Sequence, residues 1–118
     1  MKVTVQNGAS HGLSRRDVEA IIPLLPSSWL SMIQQVVLYQ GKSTEVRATY
    51  YPGKHLLGLF WPGDAASVSK SEGLRELLVS FSVVAEHGEL PIELSRSVRA
   101  RHTEGVSALH AKCLEVLA

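Results

Sequence analysis

The chain is poor in the features that most quickly reveal a function. It has one cysteine, Cys113, which excludes an intramolecular disulfide and fits a reducing compartment. It has almost no net charge: 12 Lys and Arg against 11 Asp and Glu leave +1, too little for a global field that would draw the protein onto nucleic acid or an anionic membrane. Residues 1–59 carry six basic against three acidic side chains and residues 60–118 six against eight, so neither half is a polybasic domain. No apolar run approaches the roughly 20 residues of a membrane span. Met1–Val5 has no secretory apolar core, so a cytoplasmic location with no membrane partner is expected.

Several catalytic signatures are missing too. Nothing resembles a phosphate-cradling Gly-rich loop, a dinucleotide fingerprint or a Gly-x-Ser-x-Gly elbow. The five histidines, His11, His55, His87, His102 and His110, contain no i, i+4 pair of the kind a helix uses to hold zinc. His102 and His110 share a face if one helix carries both, but two turns separate them by about 12 Å. His87, beside Glu86 and Glu89, is the alternative metal ligand; a histidine at a helix end also has a plainer role facing the last carbonyls. No metal and no other cofactor is the expectation.

What is present is ordinary globular material. With 45% hydrophobic and 19% charged residues, 118 residues suit one domain spanning 1–118. Val3–Gln6 is a candidate N-terminal strand. Ser14 followed by Asp17 is a helix-capping pair, and Val18, Ile21, Ile22 and Leu25 form an apolar face that Pro23 and Pro26 interrupt. A short helix from Ser27 or Ser28 presents Trp29, Leu30 and Ile33. Val36–Tyr39 is β-branched and aromatic, Thr44–Tyr51 alternates, and Pro52-Gly53 predicts a tight hairpin with Gly53 at positive φ, returning along His55–Trp61.

A strongly amphipathic helix follows over Ser69–Gly88, opened by the capping box Ser69-x-x-Glu72 and lined by Leu74, Leu77, Leu78, Phe81 and Val84. Leu94–Leu117 reads as a last helix that Gly105 bends or divides, with Val106, Leu109, Cys113, Leu114 and Leu117 on one face. Cys113 on that stripe reads as an inert core thiol. The fold expected is α+β: a three-stranded antiparallel sheet, with the N-terminal segment as a candidate fourth strand, packed by three or four helices.

Over residues 23–88 the order of elements resembles a minimal zincin, a small metallopeptidase-like domain. The likeness is carried by Leu25-Pro26-Ser27-Ser28-Trp29, the hairpin Ala48-Thr49-Tyr50-Tyr51-Pro52, the strand Leu57-Gly58-Leu59-Phe60, and then a long helix. Where that family carries His-Glu-x-x-His, this chain has Arg75-Glu76-Leu77-Leu78-Val79. The resemblance therefore implies a scaffold that keeps the family's general base, Glu76, without the metal histidines. Residue by residue, Glu76 reads more simply as a helix-surface carboxylate paired with a neighbour such as Arg75.

Three functions follow as expectations. The first is a non-catalytic interaction domain, binding a protein partner or self-associating as a homodimer. Tyr50 and Tyr51 face opposite ways on a strand, as do Phe60 and Trp61, so one of each pair lies at the surface; Tyr51, His55 and Trp61 are the expected contact residues. The second is a nucleic-acid or polyanion-binding module using Arg96, Arg99 and Arg101, with Glu86, Glu89, Glu93 and Glu104 nearby as counter-charge. The third is a hydrolase with an atypical site near Glu76, Glu86 and His87. Glu76 and His87 are eleven residues apart, about 16 Å of helical rise, so this site requires the helix to break.

Overall fold

The computed structural model describes residues 1–5, 12–41, 46–62, 69–87 and 92–118. The elements are β1 (Lys2–Val5), α1 (Arg15–Ile21), α2 (Ser27–Met32), β2 (Gln35–Gly41), β3 (Arg47–Tyr51), β4 (Leu56–Pro62), α3 (Lys70–His87), β5 (Ile92–Leu94), α4 (Arg96–Arg101) and α5 (Ser107–Leu117). Short 3-10 turns occupy Ile22–Leu24 and Pro52–Lys54. The α+β class is as expected.

The sheet differs from the expected one. Five strands pair in the order β1-β2-β4-β3-β5. The β3–β4 hairpin is antiparallel as predicted, but β2 runs parallel to β4 on its other side, and β1 parallel to β2. The sheet is therefore mixed. A short apolar run such as Val36–Tyr39 has the same pattern in either orientation, so only the chain path decides its direction. The N-terminal strand is real, and β5 closes the other edge against β3. Five α-helices, rather than three or four, are seen among the described residues.

Local rules account for most element boundaries. Ser14 caps α1: its hydroxyl accepts from the Asp17 N–H at 3.1 Å and its own N–H donates to Asp17 Oδ2 at 2.9 Å, the full capping box. Ser69 accepts from the Glu72 N–H at the start of α3. Pro26 stands at the N-terminus of α2, where its missing N–H costs nothing.

One local expectation fails and another is met only in part. The left-handed residue of the hairpin is His55, at φ 48°, and not Gly53. The Pro52–Lys54 turn puts the reversal two residues later, and the His55 carbonyl then accepts from Gln34 and Gln35 N–H at 2.8 and 3.0 Å, locking β2 beside β4. The last segment divides at Gly105 into α4 and α5, as the sequence allowed, but Leu94 ends strand β5 and does not open the helix. Ser95 caps α4 by accepting from Val98 N–H, and Gly105 lies in the turn between α4 and α5. Gln6, His11, Thr44, Gly88 and Glu89 lie outside the described residues.

The core lies on one side of the sheet. Val3, Val36, Leu38, Ala48, Tyr50, Leu57, Leu59, Trp61 and Leu94 point into it, every second residue of their strands. Against them α3 buries Leu74, Leu77, Leu78, Phe81 and Val84, the stripe its periodicity predicted. Trp29 stacks on Phe81 at 5.9 Å between ring centroids. Cys113 is buried, and burial pushes its thiol pKa up, as befits an inert core side chain.

Candidate functional site

Alternation leaves the other sheet face uncovered by any described helix. Register places Lys2, Gln35, Leu56 and Tyr51 in one row across it, Thr4, Val37, Gly58 and Thr49 in the next, and Tyr39, Phe60 and Arg47 in a third. The centre of this face is apolar and aromatic. Tyr39 and Phe60 meet edge to face at an interplanar angle of 68°. Tyr51 is 41% exposed, among the most exposed large hydrophobic side chains described.

A groove of about 370 Å³ runs along the face, lined by Thr4, Val37, Tyr39, Tyr51, Leu56 and Gly58. Gly58 creates it. A Cβ there would sit 3.4 Å from both the Phe60 ring and the Tyr39 hydroxyl oxygen, in ordinary contact, so these two side chains pass close over the glycine backbone. Burial first, and the neighbouring Tyr51 hydroxyl second, push the Tyr39 pKa up, so its phenol stays a neutral donor at the groove wall.

Of the expected contact residues, Tyr51 alone lines this groove. Trp61 is a correction: it is 1% exposed and among the largest core side chains, and Phe60 is the surface member of that pair. Strand parity chooses between them, and β4 enters with Leu57 inward, which carries Leu59 and Trp61 inward as well. His55 is exposed at the hairpin turn, its Nδ1 3.3 Å from the Met32 carbonyl oxygen. Its carbonyl and backbone conformation shape the hairpin, outside the groove lining.

The basic trio is not assembled either. Arg96 and Arg101 are exposed, but Arg99 is buried. Its guanidinium pairs with Glu76 and also donates to the Val46 carbonyl at 2.9 Å and the Leu94 carbonyl at 3.1 Å. Glu76 is therefore paired across the fold, and not with Arg75 on its own helix. Helix α3 is continuous through Lys70–His87, so Glu76 does not meet Glu86 or His87.

A second cluster forms where the end of α3 meets the end of α4. Glu86 Oε2 lies 2.9 Å from His102 Nε2 and 3.6 Å from His87 Nε2. Ser82 Oγ lies 2.7 Å from His102 Nδ1. The cluster borders a cleft of about 660 Å³ with Val83, Leu94 and Val98 in its walls and Arg101 beside them. Sequence spacing could suggest His87 with Glu86 but not His102, because the α4 turn that brings it back was read as continuous helix. His110 points elsewhere, its Nε2 2.8 Å from the Ser71 carbonyl oxygen.

Among the described residues no helix is long and apolar enough to cross a membrane. No protein-family model, no curated protein and no solved structure matches the chain.

Proposed function

We propose that this protein is a non-catalytic interaction domain that docks a protein partner on the open face of its sheet. The observation that carries the reading is the continuous apolar groove around Gly58, walled by Tyr39, Tyr51 and Leu56 and left uncovered by the described helices. Contiguous exposed apolar surface with aromatic residues at its centre is characteristic of interaction sites.

Charge selects the occupant. Exposed Lys2 lies at one edge of the face, and exposed Lys54 lies in the adjoining turn. Strands β1 to β4 place no acidic residue on the face; Glu93, on the edge strand β5, is the register partner of Thr49. A partner with an apolar centre and an acidic rim meets both the groove and these cations. The zincin-like order of elements fits this reading as a scaffold, with Arg75 and Val79 at the metal-histidine positions and Glu76 committed to Arg99.

A photo-crosslinking amino acid at position 51, compared with one at exposed Glu115 on the helical side, tests the proposal. One discrete partner protein should couple at position 51 and not at 115. The purified partner should bind in a salt-sensitive manner, weakened by about tenfold or more in Phe60→Glu and in the double reversal Lys2→Glu/Lys54→Glu. A self-adduct would replace the partner with a second copy. Equal labelling from both positions, or binding indifferent to the charge reversals, would overturn the reading.

A further inference from the structure

We propose that Glu86, His87 and His102 bind one divalent transition-metal ion of the zinc type. The three side chains each offer a ligand atom, and these atoms all lie within 4.8 Å of one another. A tetrahedral ion held by nitrogen and oxygen at its usual bond lengths needs its ligand atoms about 3.3–3.6 Å apart. The two separations to Glu86, 2.9 and 3.6 Å, bracket that spacing. His87 is exposed, so its ring can turn to close the third separation without disturbing the core.

Three further features point to a cation rather than to a simple hydrogen-bonded cluster. A metal-bound imidazole characteristically donates its other ring N–H to an acceptor that fixes its orientation. Ser82 Oγ, 2.7 Å from His102 Nδ1, is placed to accept that hydrogen and leave the Nε2 lone pair toward Glu86 and His87. Ser82 is four residues before Glu86, so both project from the same side of α3. The cluster also sits at the C-terminal end of α3, where the partial negative charge of the last carbonyls favours a cation.

The donor set decides the ion class. Two imidazoles and one carboxylate suit zinc and its first-row neighbours, whereas magnesium and calcium take oxygen ligands. Three protein ligands leave the fourth position to water or a bound molecule, on the side of the cleft walled by Val83, Leu94 and Val98. Adjacent helical residues diverge by about 100°, so Glu86 and His87 cannot complete a site alone. His102, delivered by the turn after α4, supplies the convergent third ligand.

Titration of the chelator-treated full chain with zinc chloride, followed calorimetrically, tests the assignment, with cobalt(II) absorption reporting coordination. One ion per chain should bind. His87→Ala and Glu86→Gln, both at exposed positions, should each weaken binding by about tenfold or more while circular dichroism stays unchanged. Ser82→Ala, as a positioning variant, should weaken it by about tenfold. His110→Ala should bind as the parent does. Absence of saturable binding up to millimolar zinc, unaltered affinity in His87→Ala, or loss of binding in His110→Ala would each overturn the proposal. Phe60→Glu should bind zinc normally, which separates this site from the sheet face.

Discussion

Arg99 and Glu76, 23 residues apart in sequence, form an ion pair that ties α4 to the middle of α3. The same guanidinium reaches the Val46 and Leu94 carbonyls, so its Nε and both terminal nitrogens are used. Burying an arginine this far is tolerable because a carboxylate and two carbonyls replace its water. Removing either partner is therefore asymmetric. Arg99→Ala should destabilise by about 3 kcal/mol or more, since it strands Glu76 and opens the junction of four segments. Glu76→Gln, at a partly exposed site that keeps an acceptor, should lose about 1–2 kcal/mol. Urea denaturation of both variants measures the difference, and equal losses would argue against this asymmetry.

Trp61 and Tyr51 should respond oppositely to truncation. Trp61→Ala removes a fully buried indole and should cost about 3–5 kcal/mol. Tyr51→Ala removes an exposed ring and should stay within about 0.5 kcal/mol of the parent. Thermal unfolding distinguishes them, and it makes Tyr51, not Trp61, the clean probe of partner binding.

Gly58 should be replaceable in the fold but not in the groove. Alanine there makes only ordinary contacts at 3.4 Å with Phe60 and Tyr39. A leucine fills the space between Tyr39 and Tyr51. Gly58→Ala should fold with near-parent stability, and Gly58→Leu should abolish partner coupling at position 51. A Gly58→Leu protein that still couples would show the groove to be unused.

Asp17 should contribute to acid sensitivity. Burial raises its pKa, but the hydrogen bonds from Ser14 and the Lys70 ammonium at 3.3 Å outweigh this and leave it below the ordinary value. A lowered folded-state pKa stabilises the protein above the unfolded aspartate value, and the contribution disappears as pH falls through the folded one. Asp17→Asn should therefore flatten the acid limb of the stability curve in that window while lowering neutral-pH stability by about 1 kcal/mol.

Tyr50 should govern the alkaline side. Its hydroxyl donates to the Met32 carbonyl at 2.6 Å, and burial pushes its pKa up. The folded state thus holds the phenolic proton after the unfolded chain has lost it, so stability is complete below the ordinary tyrosine value and falls as pH rises through the folded one. Tyr50→Phe should remove part of that alkaline decline and cost about 1 kcal/mol near neutrality. Stability measured across pH 8–11 checks both signs.

Capping and periodicity were legible because they are local. Ser14 with Asp17, the α3 stripe and the β3–β4 hairpin each depend on residues close in sequence, and each formed. Trp61 was misplaced because adjacent strand residues carry equal apolar signals and only the inward parity of β4 separates them. The Glu86, His87 and His102 cluster was only half legible, because His102 arrives through a turn that resembled continuing helix.

Short-range chemistry written in the residues thus determined an α+β chain, the starts of its first three helices, its apolar faces and the burial of Cys113. The tertiary structure alone decided that β2 runs parallel to β4, that Arg99 is buried on Glu76, and that the described helices leave one sheet face uncovered around Gly58. Caps and amphipathic stripes involve partners within a few residues, whereas strand order and convergent side chains depend on the path of the chain between distant segments, which no local pattern encodes.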